Sequence, residues 1–192
     1  MTREISNYHN NFFTRFMGSK EVAKEFLKMN LSEEVLNKFD LDTLKESGNS
    51  YVNDELKALF SDVVFTVNFK DGQKGFISFL LEHKSSPEKK TVLQLLKYLI
   101  RIWDKEYENE KVLPLVLPVV FYHGSANWNQ PVKFSGLFKN NPKWAEYFTP
   151  EFGFYLYTLD DLTEKMSDID TAKFRIMVKV LSLKRVKTKM NF

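Results

Sequence analysis

Apolar residues recur every three or four positions over residues 8–30, which predicts helical structure. Gly18-Ser19 interrupts this periodicity, so we predict two helices with Ser19 as the N-cap of the second. A further helix is predicted from Ser32 to about Phe39. The polar residues 40–49 that follow predict a loop, after which Ser50-Tyr51-Val52 opens a strand.

A period of two replaces the helical period in the middle of the chain. Residues 62–69 alternate and residues 76–82 are almost continuously apolar, which predicts two strands, the second central in its sheet. Asp71-Gly72 lies between them and is a strong hairpin signal. When the turn is centred on Gly72, Asp62 lies directly opposite Glu82.

The second half of the chain continues with alternating helical and strand patterns. A long amphipathic helix is predicted from Thr91 to about Asn109. An apolar strand follows, in which Pro118 indicates one unpaired side. The remaining elements are a loop (127–150), a short strand (152–158) and a helix (160–180). This order predicts an α/β fold with a mixed central sheet flanked by helices.

Composition narrows the class of protein. The 192 residues, 43% hydrophobic and 15% aromatic, suit one domain spanning 1–192. The net charge of +3 excludes a globally basic nucleic-acid binder, and the lack of cysteine excludes disulfides, Cys-ligated zinc and thiol catalysis. The chain begins without an apolar signal segment and has no long apolar run, so we expect a soluble cytoplasmic protein without membrane contact.

Two acids and a lysine on the predicted hairpin are the strongest chemical signal. Asp62 and Glu82 would repel each other unless a cation lay between them, and oxygen ligands favour Mg²⁺, with Mn²⁺ as a substitute. Lys84 shares the face of Glu82, while His83 offers a backbone carbonyl as a third ligand. A metal activates water for phosphodiester hydrolysis, and an ammonium group orients that water. A solvated charge pair is the alternative reading of any one of these residues.

The long helix supplies candidate nucleic-acid contacts. Gln94 and Tyr98 are four residues apart and Arg101 extends the same side, so these three are predicted to bind DNA. A chance polar pair on the helix surface is the alternative. The opposite, core-facing side is predicted to carry Leu95, Leu99 and Trp103.

Two histidines and a basic tail are weaker candidates. His9 in the first helix and His123 after the apolar strand are accessory site residues, with capping or turn roles as alternatives. The tail concentrates positive charge, which indicates either a solvated terminus or weak DNA affinity. Its basic residues are Lys184, Arg185, Lys187 and Lys189.

Several stretches between residues 8 and 124 resemble the Rpn family of recombination-promoting, transposase-like nucleases in the PD-(D/E)XK superfamily. They are Tyr8–Phe16, Glu25–Leu27, Ser61–Phe65, Leu81–Ser86, Tyr98–Trp103 and Pro118–Gly124. The resemblance implies a restriction-endonuclease-like core, Mg²⁺ dependence and DNA cleavage. It also implies metal ligation by Asp62 and Glu82 and a catalytic Lys84. Gln94 and Tyr98 are similar to the Gln-x-x-x-Tyr helix of RecB-like nucleases.

The chain departs from the family pattern at three places. Asn10 stands where the family often has Asp, and Lys84 stands where many relatives have Gln. Relatives commonly run further, so residues 125–192 are expected to be a C-terminal extension truncated relative to the family.

Three functions are compatible with this pattern. The intact set of Asp62, Glu82 and Lys84 favours a Mg²⁺-dependent DNA endonuclease of a mobile-element or recombination type. Its expected partner is DNA, with a homo-oligomer as one option for its assembly. The short C-terminal part favours a catalytically impaired nuclease fold that binds DNA or protein. The low net charge favours a small α/β protein with a structural carboxylate pair and a protein partner.

Overall fold

The computed structural model describes residues 12–47, 61–82, 87–140 and 142–190. These residues form a mixed α/β fold around a five-stranded sheet in the order β1-β2-β3-β4-β5. The first three strands are antiparallel, whereas β4 and β5 run parallel to β3. The strands are β1 (Phe39–Glu46), β2 (Ser61–Phe69), β3 (Lys74–Glu82), β4 (Leu115–Tyr122) and β5 (Tyr155–Thr158).

Helices lie on both faces of this sheet, as the sequence predicted. Residues 12–17 are helical, and Ser19 takes the N-cap position of the helix that follows. The named helices are α1 (Lys20–Asn30), α2 (Glu33–Leu36), α3 (Thr91–Glu110), α4 (Lys143–Glu146), α5 (Leu159–Glu164) and α6 (Ala172–Met190). Short 3₁₀ turns are Phe134–Leu137 and Met166–Asp168.

One face of the sheet carries the main hydrophobic core. Val63, Phe65, Ile77 and Phe121 pack there against the apolar sides of α1 and α6. The other face carries Val64, Phe76 and Val120, which pack against α3. We call this second side the α3 face, and it is the side on which the candidate site lies.

The strand β1 corrects the predicted loop over residues 40–49. Only Phe39 and Leu44 of this strand are buried, and their separation of five residues breaks the strand period. Between Asp40 and Lys45 the register with β2 shifts by three residues, because β1 advances five residues while β2 advances two. This odd shift places Phe39 and Leu44 on the same sheet face, in the main hydrophobic core. The helix predicted from Ser32 is confirmed as α2, but it ends at Leu36 rather than at about Phe39. The predicted strand at Ser50–Val52 lies outside the described residues.

The predicted helix over 160–180 is two helices. The first, α5, begins one residue earlier than predicted, where Thr158 and Asp161 form a capping box. The carboxylate of Glu25 on α1 accepts hydrogen bonds from the backbone N–H groups of Asp170 and Thr171. These bonds satisfy donors at the start of α6, so the chain turns between the two helices.

Other predictions from the periodicity are confirmed. β3 occupies the central position of the sheet, and α3 begins at Thr91 as predicted. Pro118 pairs with Ser78 of β3, but pairing with β5 starts only at Val119, so one side of Pro118 has no strand partner. Within the described ranges, no helix has the length and apolar character that crossing a membrane requires.

Candidate active site

The β2–β3 register differs from the predicted one by two residues. Asp62 pairs with Leu80 rather than with Glu82. The backbone N–H of Phe69 donates to the carbonyl of Gln73 at 2.7 Å, which closes a three-residue loop. Gly72 takes the positive φ of 90° at the end of this loop, as such hairpins require. The turn is therefore centred on Asp71, and the predicted direct opposition of the two acids is wrong.

The observed register still brings the two acidic positions together. Leu80 and Glu82 are two residues apart, so both lie on the face of β3 that Asp62 shares on β2. Positions offset by two residues across an antiparallel pair are roughly 7–8 Å apart. Asp62 is also two residues from Val64, which places both acids on the α3 face. The pair is thus diagonal and lies on the face that α3 covers.

The buried side of α3 is broader than the sequence predicted. Tyr98 is 1% exposed and packs with Val64 and Phe76, while Gln94 is 8% exposed. Trp103, predicted to face the core, is only half-buried, and its indole N–H donates to the carbonyl of Pro114 at 3.0 Å. The division into a polar side with Gln94 and Tyr98 and a separate core side is therefore wrong.

From the direction of α3 over the sheet we infer that Gln94 lies near the level of Asp62. Tyr98 contacts Val64, and α3 runs antiparallel to β3 as the helix of a β-α-β crossover. One helical turn back from Tyr98 spans about 6 Å, which equals about two strand residues, from Val64 to Asp62. Within the described part of the chain, the buried side-chain oxygen of Gln94 has no hydrogen-bond partner. An acceptor at this position calls for a donor in the candidate site, because burial without one is costly.

Tyr122 is a site residue that the sequence reasoning missed. It is the register partner of Glu82 on β4, is 2% exposed, and its ring contacts Trp128 at a centroid distance of 5.3 Å. A Cβ at position 124 would lie 2.2 Å from the Tyr122 hydroxyl oxygen, so Gly124 gives this ring its space. The sequence contained a signal for this position, because Tyr122 follows Val120 by two residues and therefore lies on the same, α3 face of the parallel strand β4.

The structure describes only some of the other predicted site residues. His9, His83 and Lys84 lie outside the described residues. His123 is half-buried immediately after β4, and Arg101 is half-buried on α3. The basic tail belongs to α6, which continues to Met190. Among the side chains that are described, no three His, Asp or Glu residues could jointly hold a metal ion.

The described residues define a mixed α/β protein whose candidate site lies between β2, β3 and the first turns of α3. The chain belongs to the family described as "Putative transposase, YhgA-like", whose family model matches residues 7–191. This match confirms the resemblance seen in the sequence.

Curated relatives belong to the Rpn group. The recombination-promoting nuclease RpnD of Escherichia coli O157:H7 is 33% identical over 122 residues, which cover 62% of this chain and 46% of RpnD. The inactive recombination-promoting nuclease-like protein RpnE of Escherichia coli (strain K12) is 36% identical over 134 residues, covering 64% and 44%. The nuclease RpnC of the same strain is 33% identical over 119 residues, covering 62% and 39%.

The chain therefore spans less than half the length of these relatives. Their names support a nuclease-related function for the shared region, although one of the three is named inactive. No solved structure matches the chain.

Proposed function

We propose that this chain is a Mg²⁺-dependent DNA endonuclease with a PD-(D/E)XK site. The observation that carries the proposal is the β2–β3 register, which puts Asp62 and Glu82 on one sheet face beneath α3. This face ends where the parallel strands β3 and β4 end, and ligands of α/β folds bind outside the carboxyl ends of parallel strands. From the names of the relatives RpnD and RpnC we infer recombination as the process in which the endonuclease acts.

The diagonal arrangement suits a shared cation better than direct opposition does. Mg²⁺ binds oxygen at about 2.0–2.1 Å, and two carboxylates on either side of it need room for the ion between them. Positions roughly 7–8 Å apart provide that room, whereas opposed positions roughly 5 Å apart would crowd the two groups. Asp62, Glu82 and the backbone carbonyl of His83 are the proposed ligands. The buried acceptor on Gln94 fits a site that contains a hydrated cation or an ammonium group.

The chain's own groups then have distinct tasks. A bound Mg²⁺ would lower the pKa of water and offset phosphate charge. Lys84 orients the attacking water and stabilises negative charge on the phosphoryl oxygens. Gln94 holds Lys84 or a water in place by accepting a hydrogen bond. Arg101, half-buried on α3, contacts a DNA phosphate, whereas Tyr98 supports the sheet beneath Gln94.

Metal binding should be visible in the stability of the protein. Because a ligand that binds only the folded state stabilises it, Mg²⁺ or Mn²⁺ at about 100 times its dissociation constant should add about 2.7 kcal/mol to the free energy of unfolding. We expect Asp62→Asn to abolish most of this gain in a thermal or denaturant melt. Asp104→Asn removes an exposed carboxylate from α3 and should retain the full gain. An equal metal response in both variants would remove Asp62 from the ligand set.

Gln94→Met should separate stability from activity. The substitution keeps the side-chain length and removes a buried oxygen that has no partner among the described residues, so we expect unfolding free energy in EDTA to be unchanged or higher. Cleavage should fall, by about tenfold or more, because Lys84 or the water would lose its acceptor. A melt and a rate measurement on one preparation test both parts. Loss of stability with unchanged turnover would make Gln94 a packing residue.

A binding module without turnover is the second candidate. The 36% identity to RpnE, which is named inactive, favours it. The two candidates differ in a single result, since the module would bind DNA in Mg²⁺ without cutting it.

A further inference from the structure

The crossover between β4 and β5 carries a group of solvent-exposed aromatic side chains. Trp144, Tyr147 and Phe148 are 73%, 89% and 75% exposed. They lie on or directly after the short helix α4, between Pro142 and Pro150. We call the described residues 142–150 the aromatic finger. Exposed rings at this density are unusual, because burial of an aromatic side chain is favourable.

The finger is a defined structure. The backbone N–H of Phe148 and the hydroxyl of Thr149 both donate to the carbonyl of Ala145, at 3.0 and 2.9 Å. These bonds extend the helical turn past α4, and Trp144 and Phe148 are four residues apart on it, which places them on one side. The rings of Tyr147 and Phe148 contact edge to face, with centroids 5.2 Å apart. Local hydrogen bonds therefore fix the helical turn from which the three rings project into solvent.

The base of the finger packs against the hydrophobic cluster between β4 and α3. Phe138 and Phe152 flank the finger, and both rings contact Phe134, at centroid distances of 5.8 and 5.5 Å. Phe134 packs in turn on Val92 in the first turn of α3 and on Val120 near the end of β4. The finger thus projects from the side of β4 that precedes β5, where Lys133 pairs with Gly153.

The chemistry of the finger favours nucleobases over a protein surface. Its strongly exposed apolar residues are all aromatic, whereas the exposed Lys143 within the finger and the exposed Lys139 shortly before it supply ammonium groups close in sequence to the rings. Lysine is depleted in protein–protein interfaces, but lysine beside aromatic rings is typical of single-strand binding surfaces, where bases stack and phosphates meet cations. Glu146 and Glu151 offset the two lysine charges, so stacking rather than charge would supply most of the affinity.

We propose that the aromatic finger stacks on unpaired bases of the DNA that the chain binds, which makes single-stranded or locally opened DNA the preferred substrate. This inference rests on the proposed nuclease function for the identity of the ligand. Paired bases are already stacked on each other, so duplex DNA offers the rings no free base faces. The finger therefore selects DNA by strandedness and not by sequence, since every base has a ring face.

Intrinsic fluorescence of the full chain in EDTA tests the proposal without turnover. Trp103 and Trp128 are half-buried and donate to backbone carbonyls, so Trp144 is the tryptophan that a stacking base would quench. Titration with a short single-stranded oligonucleotide should quench the fluorescence, and the same sequence as a duplex should bind at least about tenfold more weakly. Trp144→Leu should abolish the quenching. Tyr147→Leu and Phe148→Leu should each weaken binding by about tenfold.

A matched control and the salt dependence sharpen this test. Tyr107→Leu removes a ring that is 51% exposed near the other end of α3 and should leave binding unchanged. Two lysine–phosphate contacts predict a log–log salt slope of about −1.4 for single strands. Equal affinity for duplex and single strand would overturn the proposal, as would unchanged binding by all three finger variants. Self-association of the wild type that Trp144→Leu abolishes, with no effect on DNA binding, would assign the finger to a second copy instead.

The proposal for the finger and the proposed nuclease function can be refuted separately. Quenching that depends on Trp144 in a chain that cuts no DNA would support the finger and exclude the nuclease function. Cleavage of DNA by the wild type and by the finger variants at equal rates and affinities would retain the nuclease and overturn the finger.

Discussion

Lys84→Ala should slow Mg²⁺-dependent DNA cleavage by about 10²–10⁴-fold, the range that a positioned proton-transfer group supplies. The expectation follows from spacing, because Lys84 is two residues beyond Glu82 and an extended chain would put both on the α3 face. The fold should remain, since the substitution removes no described core contact. Single-turnover cleavage measures the rate, and a melt of the same preparation measures stability.

Lys89→Ala is the matched control for charge. Lys89 is an exposed lysine in the same β3–α3 connection, and its removal lowers the net charge by the same amount. We expect this variant to cut within about twofold of the wild-type rate, because long-range effects of one surface charge are screened by salt. If both variants slow cleavage equally, Lys84 acts through general electrostatics and has no place in the catalytic motif.

Ile102→Ala should cost about 2–5 kcal/mol of unfolding free energy. Ile102 is fully buried and packs with Val64, Phe76 and Tyr98, so truncation leaves a cavity between α3 and the sheet. Denaturant unfolding at equilibrium measures the loss. The substitution should also lower metal affinity, because the same contacts fix α3 over the face that carries Asp62.

Ile100→Ala provides an internal comparison on the same helix. Ile100 is 43% exposed, so the identical substitution, with the identical change in helix propensity, should alter stability by no more than about 0.5 kcal/mol. Similar losses at the two positions would mean that α3 does not pack on the sheet through Ile102, and the location of the site under α3 would be wrong.

Elements with long apolar runs could be predicted from the sequence. The strands β2, β3 and β4 and the helix α3 bury many successive or regularly spaced residues, so their period dominates local composition. The strand β1 could not be predicted, because it lies at the sheet edge and buries only two of its eight residues. Its bulge also moves Phe39 and Leu44 out of the period that identifies a strand.

The shared sheet face of Asp62 and Glu82 could be predicted, but their relative position could not. Both Asp71-centred and Gly72-centred turns contain the same Asp-Gly step, and only the position of the three-residue loop, at 70–72 or at 71–73, distinguishes them. The three-residue loop shifts the partner of Asp62 from Glu82 to Leu80, a change that preserves the face because the shift is an even number. An odd shift would have separated the two acids onto opposite faces.

The division of α3 into a polar side and a core side was the largest error among the predictions near the site. The rest of the fold covers a wide arc of the circumference of α3, so polar positions are buried together with apolar ones. Gln94 therefore lies on the same buried side as Leu95 and Tyr98. A pattern of residue types indicates which positions are apolar, but it does not show how much of the helix circumference the rest of the fold covers. That the Gln94 side-chain oxygen has no hydrogen-bond partner among the described residues became evident only from packing.

Supercoiled plasmid cleavage tests the central claim most directly. We predict that the purified full chain nicks or linearises plasmid DNA in Mg²⁺ or Mn²⁺ and that EDTA stops the reaction. Asp62→Asn and Glu82→Gln should each reduce the rate by at least about 10³-fold. Both variants should keep the wild-type melting profile in EDTA. Cleavage that persists in EDTA, or that both variants perform at the wild-type rate, would contradict a metal-dependent nuclease site at Asp62 and Glu82.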